Sequence, residues 1–144
     1  QKEARFIISN LKKIIRTIGR TVELIEKRAP VRLKKFTAEI NKKTKKIIDS
    51  KSLDQSRIAL EISIMADKLD ISEECTRMRA HLRKMTDDFE GDGPIGKKLG
   101  FLLQEMNREA NTIASKANDT KISHYSVVLK ENIEKIREQI LNIE

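Results

Sequence analysis

Gly96-Lys97-Lys98-Leu99-Gly100-Phe101-Leu102-Leu103-Gln104-Glu105-Met106-Asn107-Arg108-Glu109-Ala110-Asn111-Thr112-Ile113-Ala114-Ser115-Lys116-Ala117-Asn118 is the stretch that decides the fold. At a helical period Leu102, Met106, Ala110, Ile113 and Ala117 form one apolar stripe, with Leu103 and Ala114 beside it. The opposite stripe is Gln104, Arg108, Asn111, Ser115 and Asn118, and Glu105, Glu109, Thr112 and Lys116 lie on the flank between. Solvated helix faces favour Lys and Glu, which are good helix formers, whereas Asn, Ser and Thr compete for backbone hydrogen bonds. A face built from Asn, Arg, Gln, Ser and Thr therefore points either to directed hydrogen bonding with a ligand or to a polar contact between helices or subunits.

Outward from this stretch, the other segments carry the same period. Ile71, Cys75, Met78, Leu82, Met85 and Phe89 form an upstream stripe, with Asp70 and Ser72 as caps and Glu73 and Glu74 in the positive first turn. Beside it run Glu74, Arg77, His81, Lys84 and Asp88 at spacings of three and four. Gly91, Gly93 and Pro94 are the one concentrated turn signal. After a short loop over residues 118–121, a last helix is expected over Ile122–Asn142, with Val127, Ile133, Ile136 and Ile140 inward.

Nearer the start, Ile7, Leu11, Ile14, Ile18, Val22 and Ile25 form a heptad-like stripe, and Leu33, Phe36, Ile40 and Ile47 continue it. Gly19 costs a helix about 1 kcal/mol against Ala and marks a bend or a close contact. Pro30 is expected to end or kink the helix near Arg28, because it lacks an amide hydrogen. The segment thus reads as two basic helices in a hairpin, or as a contact between subunits. Asp49–Leu53 reads as a connector and Asp54 as a cap for a helix burying Ile58, Ile62, Met65 and Leu69. The expected fold is all-α, a long basic helical hairpin or linker over 1–50 and a bundle of three to four helices over 51–144.

Composition excludes several classes. Charged residues are 36% and aromatics 3%, with only five Gly and two Pro, which disfavours an all-β fold. No run approaches the ~18 apolar residues of a membrane span, and no signal peptide is visible. One cysteine excludes an internal disulfide and fits a reducing cytoplasm. The chain opens on Gln1 and enters a helix at once, so it reads as a fragment lacking an N-terminal part. Residues 1–50 hold 15 Lys/Arg against 5 Asp/Glu, a net of +10, while residues 51–144 hold 15 against 17, a net of −2. That split favours a polyanion partner, nucleic acid first, for the first segment.

Chemistry is concentrated on two faces. Glu74 and His81 are seven residues apart, two helical turns, with Arg77 between them. Glu105 and Glu109 are four apart, so both carboxylates converge on one point, as a hard Mg2+ or Mn2+ requires. Lys98, Arg108 and Lys116 can hold a phosphodiester backbone, and Asn107, Asn111 and Asn118 can read base edges or sugar hydroxyls. The structural alternative pairs Glu105 with Arg108 and Glu109 with Thr112 on the helix surface. No Gly-rich phosphate loop or paired-cysteine zinc spacing is present.

Gln104-Glu105-Met106-Asn107-Arg108-Glu109, with Asn111-Thr112 and Ser115-Lys116-Ala117-Asn118, resembles the C-terminal domain of the YicC-like family. The ending Ile136-Arg137-Glu138-Gln139-Ile140-Leu141-Asn142-Ile143-Glu144 is similar to the family's C-terminal signature, and Asp70–Glu74 and Arg77–Leu82 fit as well. The likeness covers residues from about Leu53 to the end. The family usually has an acid where Gly100 stands, so any role of that acid does not carry over. The resemblance implies an endoribonuclease that needs a divalent metal, acts on single-stranded RNA and assembles as a hexamer. The residues that match the family are Glu74, Arg77, His81, Lys98, Gln104, Glu105, Asn107, Arg108, Glu109, Asn111, Ser115, Lys116 and Asn118, without their individual roles. From their chemistry, Glu74, His81, Glu105 and Glu109 are the expected catalytic set, the last two holding metal, and Arg77, Lys98, Gln104, Asn107, Arg108, Asn111, Ser115, Lys116 and Asn118 the expected RNA-binding set. The alternative is an RNA-binding or helical assembly module with no chemistry of its own.

Overall fold

Wherever apolar residues recur at three and four, the chain is helical. The computed structural model describes residues 2–48, 55–91 and 95–143, all but a few of them in five α-helices. These are α1 (Lys2–Ile48), α2 (Gln55–Leu69), α3 (Ser72–Glu90), α4 (Ile95–Ala117) and α5 (Thr120–Ile143). No strand occurs among the described residues, so the all-α expectation holds. The connector at Asp49–Leu53, the cap at Asp54, and Gly93 and Pro94 lie outside the described residues.

Four helices close into a ring in which α1 adjoins α5, α5 adjoins α4, α4 adjoins α3, and α3 adjoins α1. The two-residue link between α4 and α5 forces those neighbours antiparallel. Arg28 reaches Asp119 at the start of α5, and Lys12 reaches Glu90 at the end of α3, so α1 opposes both its neighbours. Leu11, Ile18, Val22 and Ile25 of α1 are fully buried, together with Met78 and Met85 of α3, Leu99, Met106 and Ile113 of α4, and Leu129 and Ile136 of α5. Each such side chain contributes about 1.5–3 kcal/mol. The α1 stripe is therefore part of the same core as α3, α4 and α5.

The helix does not end near Arg28, since α1 runs on through Pro30 for 47 residues in all. Pro30 leaves one helical carbonyl without its amide partner, yet anchors on both sides hold the register. Arg28 donates to both oxygens of Asp119 at 3.0 and 3.1 Å, and Arg32 Nε donates to the Asn118 carbonyl at 3.0 Å. A hairpin does form, but its second arm is α2. Asn41 and Thr44 share a groove with Ile58 and Ile62, and Pro30 and Leu33 share one with Ala66 and Leu69, so α2 runs back along α1. Beyond Leu33 no described residue of α1 is buried, and α2 buries none at all. Met65, expected inside, is 36% exposed.

Two further details differ from expectation. Val127 is half exposed, and the inward stripe of α5 is Ile122, Ser126, Leu129, Ile133, Ile136 and Ile140. Buried Ser126 disguised that stripe by putting a hydroxyl where a periodic reading looks for an apolar residue. Gly19 makes no close contact, for a Cβ there would meet no heavy atom within 4 Å. No helix among the described residues is long and apolar enough to cross a membrane.

Candidate metal centre

Helices α3 and α4 lie antiparallel with their charged flanks in register, so the upstream face of α3 meets the acidic flank of α4. Lys116 Nζ donates to Glu74 Oε1 at 2.7 Å, and Arg77 Nε donates to Glu109 Oε1 at 2.9 Å. Further along, donor atoms of His81, Glu105 and Glu109 all lie within 4.8 Å of one another.

The two buried acids are held differently. Glu74 has a side chain only 2% exposed; besides Lys116 it has Arg77 at 3.6 Å, and its Oε2 has no protein partner. Glu109 is likewise buried, with its Oε1 fixed by Arg77. Arg77 also reaches Glu73 at 3.4 Å, so one guanidinium spans three carboxylates. The hydrogen bond to Glu109, then its charge, raises the Arg77 pKa above its ordinary value, and the hydrogen bond to Glu74 raises that of Lys116. Both cations are thus fixed as charged.

Two acids and an imidazole fit a divalent cation. Two ligands about 2.1 Å from one ion stand at most about 4.2 Å apart, so a small side-chain adjustment brings the three donors onto a common centre. His81 adds an independent sign, because its Nε2 is buried with no hydrogen-bond partner, and an orphaned ring nitrogen is costly unless it has a ligand. Neither helix-surface pairing expected of the two glutamates forms, and Glu109 pairs instead with Arg77 of α3. Among the described residues Glu105 makes no ion pair with Arg108, and the Thr112 hydroxyl donates to the Arg108 carbonyl.

The remaining expected residues are spread around α4. Lys98, Arg108, Asn111 and Ser115 are exposed on its outer side. Gln104 and Asn107 turn away from the cluster and line a groove against α5. Asn118 ends α4 in the left-handed region at φ 44°, a conformation Asn tolerates, and its carbonyl accepts from Arg32. The ion pair of Arg28 with Asp119 had no signal in the sequence. Asp119 caps α5 by accepting from Ile122 N at 3.2 Å, and the Arg28 guanidinium holds its carboxyl below the usual range. Cys75 is a core residue; burial pushes its thiol up to about 12, which leaves it inert.

The described residues thus form an all-helical bundle whose charged seam gathers an imidazole and two carboxylates. Residues 25–144 match the profile described as endoribonuclease YicC-like, C-terminal, and the chain belongs to that family. Among curated proteins it is similar to the probable endoribonuclease YicC of Clostridioides difficile (strain 630), 41% identical over 124 residues, which is 85% of this chain and 42% of that protein. The probable endoribonuclease YicC of Haemophilus influenzae is 41% identical over 93 residues, 65% of this chain and 32% of that protein. The chain thus spans less than half the length of these curated relatives.

Proposed function

We propose that the chain carries the metal-holding and RNA-contacting part of an endoribonuclease that cuts single-stranded RNA with a divalent cation. The convergence of His81, Glu105 and Glu109 carries this proposal, and the relatives, named as probable endoribonucleases, support the RNA substrate. The mixed imidazole–carboxylate set suits Mn2+ better than Mg2+, which prefers oxygen alone. A dication held there supplies an activated water and neutralises charge on a phosphoryl oxygen. Arg77 orients Glu109 and adds positive charge beside it. Lys98 and Arg108, exposed on the same helix, are placed to take the phosphodiester backbone. Glu74 is a positioning group that fixes Lys116 and Arg77.

A second role belongs to the distal half of α1. Arg32, Lys34, Lys35, Lys42, Lys43, Lys45 and Lys46 stand there against Glu39 alone, which favours RNA affinity without sequence choice. Association with further copies is part of the same proposal, since α2 exposes Leu60, Ile64 and Met65. The cytoplasm is the compartment proposed, because an RNA substrate is found there.

The test uses protein of the length of the curated relatives. Single-stranded RNA should be cut with Mn2+ and left intact with chelator. Glu105→Gln and His81→Ala should each weaken Mn2+ binding, read by the ion's electron paramagnetic resonance, and abolish cutting while RNA binding survives. Normal cutting by both variants would remove them from the catalytic set. RNA binding with no cutting under any metal would favour the module without chemistry.

A further inference from the structure

We infer that the groove between α4 and α5 is a base-binding subsite, seating one nucleotide of the single-stranded RNA next to the metal centre. It rests on the endoribonuclease reading and adds a place for the substrate that the acid cluster does not provide. The groove holds about 500 Å³. Its floor is apolar, made by buried Leu103, Ile133 and Ile140, and its walls are Phe101 and Leu141, 65% and 66% exposed. Lys97, Lys130 and Arg137 stand at the rim with the amides of Gln104 and Asn107.

This combination suits a nucleotide. A base is flat, so it stacks on an exposed aromatic ring, and its polar edge takes side-chain amides that donate and accept. Its phosphate takes the rim cations. Three cations face a single carboxylate, Glu134, which lies a loose 4.0 Å from Arg137. Such an excess of one sign disfavours a second copy of the same surface and favours a polyanion. Gly100 keeps the α4 wall low, and a Cβ there would meet nothing within 4 Å, so helix packing does not require glycine.

The groove is also in the right place. Consecutive helical residues project roughly 100° apart, so Gln104 in the groove and Glu105 in the cluster are adjacent faces of α4. Phe101 and Arg108, seven apart, both project between them. A strand with one linkage at the cluster and its phosphate on Arg108 therefore brings the neighbouring base to Phe101.

The experiment is equilibrium binding of fluorescein-labelled oligouridylate, with EDTA present so that nothing is cut. Phe101→Ala should weaken binding roughly 5- to 100-fold, the loss of one stacked base, and Phe101→Trp should retain it. Gly100→Leu should fill the groove and weaken binding while helicity by circular dichroism is kept. Lys130→Gln should lower the salt slope by about 0.7, one phosphate contact on a single strand. If the unsubstituted protein fails to bind this RNA, the endoribonuclease reading falls and the subsite with it. If it binds, and Phe101→Ala and Gly100→Leu bind equally well, the subsite alone is overturned. A fall in sedimentation mass for Phe101→Ala with unchanged RNA affinity would overturn it too, and assign the groove to a second copy.

Discussion

Replacing Lys116 by Met separates a structural lysine from an RNA-binding one. Its Nζ is the closest donor to Glu74, at 2.7 Å, and the Glu74 side chain is only 2% exposed with one oxygen already unpartnered. Met keeps most of the stem and removes the charge, leaving Arg77 at 3.6 Å as the remaining cation. Stranding one partner of a fully buried pair costs about 3–5 kcal/mol. Here the lysine side chain is 39% exposed, so water reaches the site and screens the loss. An unsatisfied buried acceptor then sets the scale, about 1–3 kcal/mol. With a urea slope of roughly 2 kcal/mol/M, the unfolding midpoint followed by circular dichroism should fall by roughly 0.5–1.5 M. Combining Lys116→Met with Glu74→Met should restore most of it, since a well-packed apolar pair replaces an ion pair at little cost. An unchanged midpoint for Lys116→Met would refute the reasoning and return the lysine to RNA. A double variant as weak as the single one would trace the loss to packing instead of charge.

Asp119 gives the acid limb of stability. Its folded pKa lies below 3.8 because of Arg28, so its contribution is complete above about pH 4 and is lost as pH falls through the lowered value. Asp119→Asn should flatten that limb in acid titrations of unfolding while keeping the cap. Asp119→Ala should lose the cap as well, about 1 kcal/mol more. Ile18 is fully buried in the common core, so Ile18→Ala should cost about 2–5 kcal/mol and lower a single transition for the whole chain. Two transitions with only one displaced would instead make the first helix a separable unit.

What was legible in the sequence was whatever a helical period exposes. The stripes of α3 and α4 are buried as their spacing implies, and the flanks beside them converge because antiparallel packing aligns two faces of the same period. Glu105 with Glu109 could be read locally, but the approach of His81 needed the register of α3 on α4. Arg28 and Asp119 are 91 residues apart and share no periodic signal. They also bear on why α1 does not end at Pro30, because the anchors on either side of the proline come from the far end of the chain. Phe101 was overlooked for the opposite reason: lying outside the apolar stripe, it reads as an isolated exposed residue until α5 supplies the other wall.

Beyond Leu33 no described residue of the first helix is buried, and this turns it into a lever. From Arg32 to Ile48 the helix extends ~24 Å at 1.5 Å per residue, so each 10° of tilt at the root carries the tip roughly 4 Å. The root is gripped at a few points, among them the carbonyls of Ala117 and Asn118 that Arg32 holds where α4 ends. Helix α4 is also the helix that carries Glu105 and Glu109. The lysine-bearing tip thus pivots about a root that touches the end of the helix bearing both carboxylates.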